Sequence, residues 1–511
     1  MKKLLVLVLA AVLVLSACAA PASTPTTTPA SADQPATQRD TVNIAVPSDF
    51  STMDPAFIAS SVDFVILANV YDSLVKITQE GEIVPRLAES FEVSEDGLVY
   101  TFKIREGVSF HNGAQLDASD VIYSLERSMA SPYMALFTQY IASFEQTDDY
   151  TVKINLHEPA APFLMALSNF FGIVDKDTVE EAGEEFKNHP IGTGAYMFVE
   201  RKQGESLTLT VNEDYYAEKG KIKNVVYRVI TDPSNALIAL ENGDIDICSY
   251  VPPASLDLVR ENEELDILPK ATSGITFVTM DVTKEALSDV RVRQAIAYAM
   301  DKQSIIDGAQ EGEAYPAEML INSEFVAYSP GLDGKGYPFD MEKAKSLLAE
   351  AGYPNGEGLP PMTISSYDLG KKTAELVAAN LMELGFVVEI ELLEVNAFIQ
   401  SFSAGNMQMG VMTIGLGDDA SSMSMLLEEG APYNISWYKN DRVEELFAEG
   451  SKELDVTKRQ KIYEELYLIV KEEAPYVPLY FNKYNYCHRA DLNLDHFVVF
   501  STTILSGLEF R

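Results

Sequence analysis

The first 40 residues form a segment that cannot belong to a globular core. Two lysines at the start are followed by an unbroken apolar run from Leu4 to Leu15. This pattern predicts a secretory signal, because the run is too short for a membrane-spanning helix. Residues 19–40 are rich in Pro, Ala, Thr, Ser and Gln, so they cannot bury enough apolar surface to offset the entropy of ordering. We therefore expect a flexible tether there and a folded region from Thr41 to Arg511.

The end of the predicted signal carries a lipid-attachment pattern. Leu15, Ser16 and Ala17 precede Cys18, and this run resembles the lipobox of bacterial lipoproteins. The resemblance implies that Cys18 becomes the lipid-carrying first residue of the mature chain. An ordinary signal peptide with an incidental cysteine is the alternative. We expect an exported protein anchored by lipid to the outer face of the bacterial cytoplasmic membrane.

Composition limits the classes of partner. The 511 residues include 38 Lys and Arg against 77 Asp and Glu, a formal net charge of −39. Such a surface repels nucleic acid and anionic lipid headgroups, so nucleic-acid binding is excluded and a covalent membrane anchor is physically sensible. The length requires two or three lobes rather than one core. Cys248 and Cys487 are predicted to be buried thiols, with their pairing left open.

Helices and strands alternate along the folded region. Thr151–Leu156 and Ser206–Val211 alternate apolar and polar residues, which predicts strands, whereas residues 117–129 and 290–301 have helical spacing. Asp117 is the predicted N-cap of the first of these helices. Interleaved elements of both kinds indicate an α/β fold.

Seven segments in a fixed order identify a family. The longest, Pro85–Arg127, reads PRLAESFEVSEDGLVYTFKIREGVSFHNGAQLDASDVIYSLER. The others are MDPA at 53–56 with VYDSLV at 70–75, PIGTGAY at 190–196, LENGDIDI at 240–247, DVRVRQAIAYAMDK at 289–302, FDMEKAKSLLAEAGY at 339–353 and EAPYVPL at 473–479. Together they resemble the family 5 extracellular solute-binding proteins, the peptide and nickel receptors of bacterial ABC importers.

The resemblance implies a two-lobed, periplasmic-binding-protein-like clamp of the large three-domain type. Solute would be held between the lobes and passed to the permease and ATPase subunits by a monomeric receptor without enzymatic activity or cofactor. The chain would cross between lobes near residues 273–277 and 479–481. The expected ranges are 1–18 signal peptide, 19–40 tether, 41–75 first part of lobe 1, 76–189 inserted subdomain, 190–275 second part of lobe 1, 276–479 lobe 2 and 480–511 last part of lobe 1.

The ligand-contacting loop departs from the peptide receptors. After the predicted strand Met409–Ile414, Thr413 stands at the family's Trp, Leu416 at the amine-binding Asp and Ala420 at the Pro. Asp418 and Asp419 could replace the missing carboxylate only in a reshaped loop, and no Arg for a peptide carboxylate appears near residues 365–372. The candidate ligand-binding residues are Phe50, Asp418, Asp419, Tyr367, Tyr433 and Trp437.

A peptide or peptide-like amine is the first choice of ligand. The alternatives are a nickel chelate, an oligosaccharide or another amine, or a surface receptor or chaperone-like protein not tied to import. The five histidines do not cluster in the sequence, and no metal site is predicted. No HExxH, GxSxG or CxxC motif occurs, so no nucleophile with a base is indicated.

Overall fold

The structure is a computed structural model that describes residues 39–58, 60–79, 81–415, 417–499 and 502–511. The predicted signal, Cys18 and almost all of the tether lie outside these residues. The strands are β1 Thr41–Val46, β2 Val75–Ile77, β3 Ile83–Pro85, β4 Ala88–Val93, β5 Val99–Ile104, β6 Ile141–Asp148, β7 Thr151–Leu156, β8 Tyr196–Lys202, β9 Ser206–Val211, β10 Asn224–Val229, β11 Ile247–Cys248, β12 Leu265–Met280, β13 Ala314–Pro316, β14 Met362–Ser366, β15 Val388–Leu392, β16 Met409–Ile414, β17 Tyr476–Arg489, β18 Leu492–Asn493, β19 Val498–Val499, β20 Thr502–Thr503 and β21 Glu509–Phe510.

Helices lie between these strands throughout the described chain. They are α1 Ser61–Val70, α2 Ala118–Ala130, α3 Ala135–Thr138, α4 Pro162–Phe170, α5 Lys176–Ala182, α6 Pro233–Glu241, α7 Leu256–Glu261, α8 Val290–Tyr298, α9 Lys302–Gln310, α10 Met341–Glu350, α11 Lys371–Glu383, α12 Val395–Ser403, α13 Ser424–Leu427, α14 Asp441–Lys452 and α15 Val456–Glu473. The predicted α/β class is confirmed.

One mixed sheet of eleven strands runs through the described residues. Its order is β15-β14-β16-β12-β17-β11-β1-β10-β9-β8, with β13 paired to β17. Parallel pairs such as β1 with β10 and β14 with β15 occur beside antiparallel pairs such as β12 with β17. The parallel pairs require crossover connections, which the helices between the strands supply.

Two long strands hold the sheet together. The first part of β12 pairs with the last part of β17, from Leu265 opposite Arg489 to Ala271 opposite Lys483. The pairing resumes at Ile275 opposite Phe481. The interruption at residues 272–274 is a bulge, which bends and twists a strand locally. It overlaps residues 273–277, where the family resemblance implies a crossing between lobes.

Buried residues form separate clusters on either side of that bulge. Two apolar clusters are drawn from residues 275–481. Three others are drawn from residues 42–265 and 487–508, and one of these lies wholly within residues 74–173, beneath the four-stranded sheet β4-β5-β7-β6. The exact domain boundaries given above stay predictions.

Several local predictions match the structure closely. β7, β9 and β16 have the predicted bounds. Asp117 caps α2, accepting from Ser119 N at 2.7 Å, and Asp120 completes the capping box by accepting from Asp117 N at 3.1 Å. Cys248 and Cys487 are free and fully buried, opposite each other on β11 and β17. Burial raises the pKa of the thiols, to about 11 for Cys248 and about 12 for Cys487.

Candidate functional site

The bulge in β12 is fixed by polar contacts from both sides. The Thr272 hydroxyl donates to the Asn482 carbonyl at 3.2 Å and accepts from Gly274 N at 3.1 Å. Asn322 Nδ2 donates to the Thr272 carbonyl at 3.2 Å, so the segment that follows Asn322 is tied to the crossover strand. The place where the chain passes between the two groups of core clusters is therefore an ordered junction.

A cavity of about 470 Å³ opens beside this junction. Residues from three distant parts of the sequence line it. The lining residues are Gln79, Gly81, Val498 and Val499 on one side, Lys270 on the crossover strand, and residues 323–328 with Pro330, Val456 and Gln460 on the other side. A solute in this cavity would touch both groups of core clusters at once.

Two charged side chains of opposite sign line the cavity. Lys270 and Glu324 are both half-buried. Among the residues that the structure describes, neither side chain makes a hydrogen bond or an ion pair. The backbone of Glu324 is fixed, because its N–H donates to Asn322 Oδ1 at 2.9 Å.

The loop after β16 lies next to this cavity, but Asp419 is already paired. The N–H of Val326 donates to the Asp418 carbonyl at 2.7 Å, and Ala420 N donates to the Val326 carbonyl at 3.0 Å. Asp419 is 6% exposed and accepts from Arg459 Nη2 at 2.5 and 2.7 Å. Burial lowers the pKa of Arg459, but the charge of Asp419 more than offsets this, so the pKa is raised.

Asp419 also organises its own loop. Its Oδ1 accepts from Ser421 N at 2.9 Å and from the Ser421 hydroxyl at 2.6 Å, which caps the short helix that follows. This arrangement differs from the expected ligand-facing carboxylate, since the charge is neutralised inside the protein. Asp418 is half-buried, and Leu416 lies outside the described residues.

Tyr367 lies at the same end of β16 as the loop. Its hydroxyl accepts from Thr413 N at 3.3 Å, and its ring meets Phe398 edge-to-face with 5.3 Å between centroids. Phe50 is 3% exposed, and its ring packs edge-to-face on Tyr227 at 6.1 Å. The Phe50 side chain is thus part of the core, although its carbonyl accepts from Arg201 at 2.5 Å.

Trp437 and Tyr433 are not brought to this loop by any described contact. Trp437 is 49% exposed and packs against Gly405. Gly405 lies before the start of β16, whereas Asp418 lies after the end of β16. The full length of β16 therefore separates Trp437 from the acidic loop. Tyr433 is 36% exposed, and its N–H donates to the Met425 carbonyl at 3.0 Å.

An ionic cluster joins the two sides of the junction. Glu313, just before β13, accepts from Arg260 on α7, from Lys483 at 3.0 Å and from Asn485 at 3.0 Å. Burial by itself raises the pKa of Glu313, but these hydrogen bonds outweigh it, so the pKa is lowered. This carboxylate is charged at neutral pH and fixes the start of β13 against residues 483–485 of β17.

A second cavity of about 470 Å³ adjoins the first, and the two share Gln79 and Val499. Its other lining residues, such as Tyr71, Phe170 and Ile504, all lie on one side of the junction. A solute there would not bridge the two groups of clusters. His111 is also not a ligand candidate, since its Nε2 lies 3.0 Å from the Gly194 carbonyl.

Sequence reasoning missed the charged cavity residues. Lys270 stands in a strand with no motif around it, and Glu324 lies in a polar stretch without periodicity. The cavity is lined by residues far apart in the sequence, and a single sequence shows no pattern that connects them. These residues are Gln79, Lys270, Glu324 and Val499. Among the described residues no group of three or more His, Cys, Asp or Glu could hold a metal, and no helix is long and apolar enough to cross a membrane.

Curated relatives cover most of the chain. Heme-binding protein A of Haemophilus influenzae is 28% identical over 445 residues, which span 80% of this chain and 81% of the relative. Glutathione-binding protein GsiB of Escherichia coli O1:K1 / APEC is 26% identical over 468 residues, with 88% and 91% covered. These relatives are solute-binding proteins rather than enzymes.

Solved structures share the architecture over nearly the whole length. HbpA2 of Haemophilus parasuis has a TM-score of 0.84 at 25% identity, with 92% of this chain and 100% of that chain covered. The periplasmic binding protein DppA of Helicobacter pylori, in complex with the peptide STSA, has a TM-score of 0.71 at 28% identity, with 93% and 98% covered. The model of the bacterial extracellular solute-binding proteins, family 5, matches residues 82–434. The chain belongs to this family, the substrate-binding proteins of ABC importers.

Proposed function

We propose that this protein captures a peptide or peptide-like solute in the cavity at the junction and delivers it to the permease of an ABC importer. The observation that carries the proposal is the position of the cavity, which is lined from both sides of the crossover strands. Ligand sites of small solutes have volumes of about 300–1,000 Å³, so a cavity of about 470 Å³ suits a short peptide.

The choice of a peptide rests on the relatives. DppA binds the peptide STSA, and GsiB is named for glutathione, itself a small peptide. Heme-binding protein A is named for a different ligand, so heme is the solute that the experiment must discriminate against. The loop around Asp419 favours neither a peptide nor heme as the ligand, because the Asp419 carboxylate is paired with Arg459.

Capture requires the two sides to close on the solute. Two strands cross the junction, and their regular pairing is interrupted at residues 272–274. A solute shifts such an equilibrium only through contacts that it makes better in the closed form. A ligand that contacts Gln79 and Val499 on one side of the cavity and Glu324 on the other meets that requirement.

The anchor and the partners belong to the same proposal. Cys18 is proposed to carry the lipid that holds the receptor at the membrane, with the Pro- and Thr-rich residues 19–40 as the tether. A single acyl chain binds a membrane only marginally, so the several chains of a bacterial lipoprotein are needed. The receptor acts as a monomer and hands its solute to membrane permease subunits.

Native mass spectrometry of protein purified from its own host tests the ligand. A bound peptide, released on denaturation and absent after unfolding and refolding, is the expected result. Small-angle scattering should then show compaction when that peptide is returned. A bound heme, sugar or metal chelate would overturn the peptide assignment, and chemical conversion of the solute by pure protein would overturn the receptor role.

A further inference from the structure

Lys270 and Glu324 are opposite charges in one cavity, and neither has a partner among the described residues. Charged groups that are half-buried lose part of their hydration and normally recover it through an ion pair. Two buried carboxylates near the junction, Glu313 and Asp419, follow this rule. Arg260 and Lys483 pair with Glu313, and Arg459 pairs with Asp419.

A shared side chain ties the backbone of Glu324 to the strand that carries Lys270. Asn322 donates to the carbonyl of Thr272, two residues after Lys270, and accepts from the backbone N–H of Glu324. The amide of Asn322 therefore holds the Glu324 segment against the crossover strand. The two charges face one cavity without pairing with each other, which leaves room for a ligand between them.

The remaining lining has little charge. Apart from these two groups, the described lining consists of apolar and neutral polar side chains such as Phe325, Val498 and Gln460. A ligand with one charged end would leave the other charge desolvated without compensation when the cavity closes. A zwitterion satisfies both groups through charge-assisted hydrogen bonds.

We propose that Lys270 binds the carboxylate and Glu324 binds the ammonium group of a zwitterionic ligand, a short peptide with free ends. This inference rests on the proposed function and names the two end-contacts that the loop after β16 does not supply. Lys270 precedes the bulge in β12 and Glu324 follows it in the sequence, so the two ends of the ligand contact segments before and after the bulge.

The test begins with a library of free-ended di- to pentapeptides, from which affinity selection isolates the peptide that wild-type protein retains most. Calorimetry then measures that peptide, its N-acetylated form and its C-amidated form. Wild-type protein should bind each blocked form about 10-fold or more weakly than the free peptide.

Two variants separate the contacts. Lys270→Met should lower the affinity for the free peptide about 10-fold or more. This variant should bind the free and the amidated peptide with equal affinity, but should still bind the N-acetylated peptide more weakly than the free one. Glu324→Gln should bind the free and the N-acetylated peptide with equal affinity, but should still bind the amidated peptide more weakly than the free one. Lys461→Met and Glu375→Gln, at exposed positions on α15 and α11 outside the cavity, are the matched controls and should bind as wild type does.

The outcomes distinguish the inference from the proposed function. If a peptide binds and neither variant changes the discrimination between free and blocked ends, the inference is overturned and the receptor role stands. A reversed assignment of the two ends also overturns it. If no peptide of the library binds while mass spectrometry finds a heme or a sugar in the native protein, both the peptide ligand and its end-contacts are rejected.

Discussion

At the residue scale, Asp419 shows how a side chain that looks available becomes part of the core. It is 6% exposed, and Arg459 on α15 contributes two contacts to it from 40 residues away. The hydroxyl of Tyr467 donates to the next carbonyl, Ala420, at 2.7 Å. The loop after β16 is thus held in place by α15 rather than left open to solute.

Removing one partner of this buried pair should be costly. Arg459→Met leaves the Asp419 carboxylate buried without its counter-charge, so we expect the free energy of unfolding to fall by about 3–5 kcal/mol. Arg442→Met is the matched control on α14, because Arg442 is exposed and its glutamate contacts are screened by water. The control should be much less destabilised, because exposed ion pairs contribute little to stability. Urea unfolding measures both, and equal losses would contradict the prediction.

Lys302 should make stability depend on pH above neutrality. Burial lowers the pKa of Lys302 to about 8, with a smaller opposing effect of Glu318, and its Nζ donates to the Ala317 carbonyl at 2.5 Å. The folded state releases this proton more easily than the unfolded state, whose lysine titrates near 10.4. The contribution of this group to stability therefore rises as pH increases from about 8 to about 10.4 and is lost as pH falls through about 8.

The measurement is a comparison of urea unfolding at pH 7, 8, 9 and 10. The difference in free energy of unfolding between wild type and Lys302→Met should move in favour of wild type as pH rises. Taking the difference removes the contributions of the other titrating groups. A difference that stays constant over this range would show that Lys302 has an ordinary pKa.

At the element scale, helix ends follow local capping rules where nothing opposes them. The sequence predicts a single helix over residues 290–301, but α8 ends at Tyr298 and Asp301 instead begins α9, accepting from Ser304 N at 3.1 Å. Aspartate is among the preferred N-caps, so a second helix starts there. Arg293 on α8 is 6% exposed and donates to the carbonyls of Leu287 and Glu473.

The cap of α2 offers a direct test of such local rules. Asp117→Ala removes the acceptor for Ser119 N and should lower the free energy of unfolding by about 0.5–2 kcal/mol. Asp117→Asn keeps an acceptor oxygen at the same place and should cost only a small fraction of that. Thermal unfolding followed by circular dichroism compares the two. An alanine variant as stable as the asparagine variant would mean that the cap contributes nothing.

Tertiary contacts override helical spacing at α1. Residues 61–75 have helical spacing of apolar residues, yet α1 ends at Val70. Tyr71 then donates its hydroxyl to the Met53 carbonyl at 2.9 Å. Asp72 accepts from Arg86 Nε and from the Tyr216 hydroxyl, both at 2.9 Å. These buried partners come from far along the chain, so the helical pattern could not show where α1 stops.

At the scale of the whole molecule, the sheet is continuous across the junction while the cores are separate. β12 and β17 connect the two groups of clusters, and the Glu313 cluster fixes β13 beside them. Another described contact between the two sides is the Ala161 N–H, which donates to the Ser451 carbonyl at 2.6 Å.

The membrane anchor gives a prediction for the full chain. In a bacterial host, Cys18→Ala should release the globular part from the membrane or leave an unprocessed precursor, because the strongly acidic surface does not bind anionic lipid by itself. Fractionation and intact-mass measurement of the mature chain check this. An unmodified Cys18 in a mature, membrane-retained protein would contradict the lipid assignment.

The sequence by itself determined the family, the α/β class, many strand bounds and the cap of α2, because these depend on local periodicity and on motifs of consecutive residues. Only the tertiary structure decided that Asp419 is neutralised by Arg459, that Phe50 is core and that Trp437 lies at the far end of β16. It also assembled the cavity from Gln79, Lys270, Glu324 and Val499. The physical reason is that burial and charge pairing depend on residues far apart in the sequence, which only the packing of the whole fold brings together.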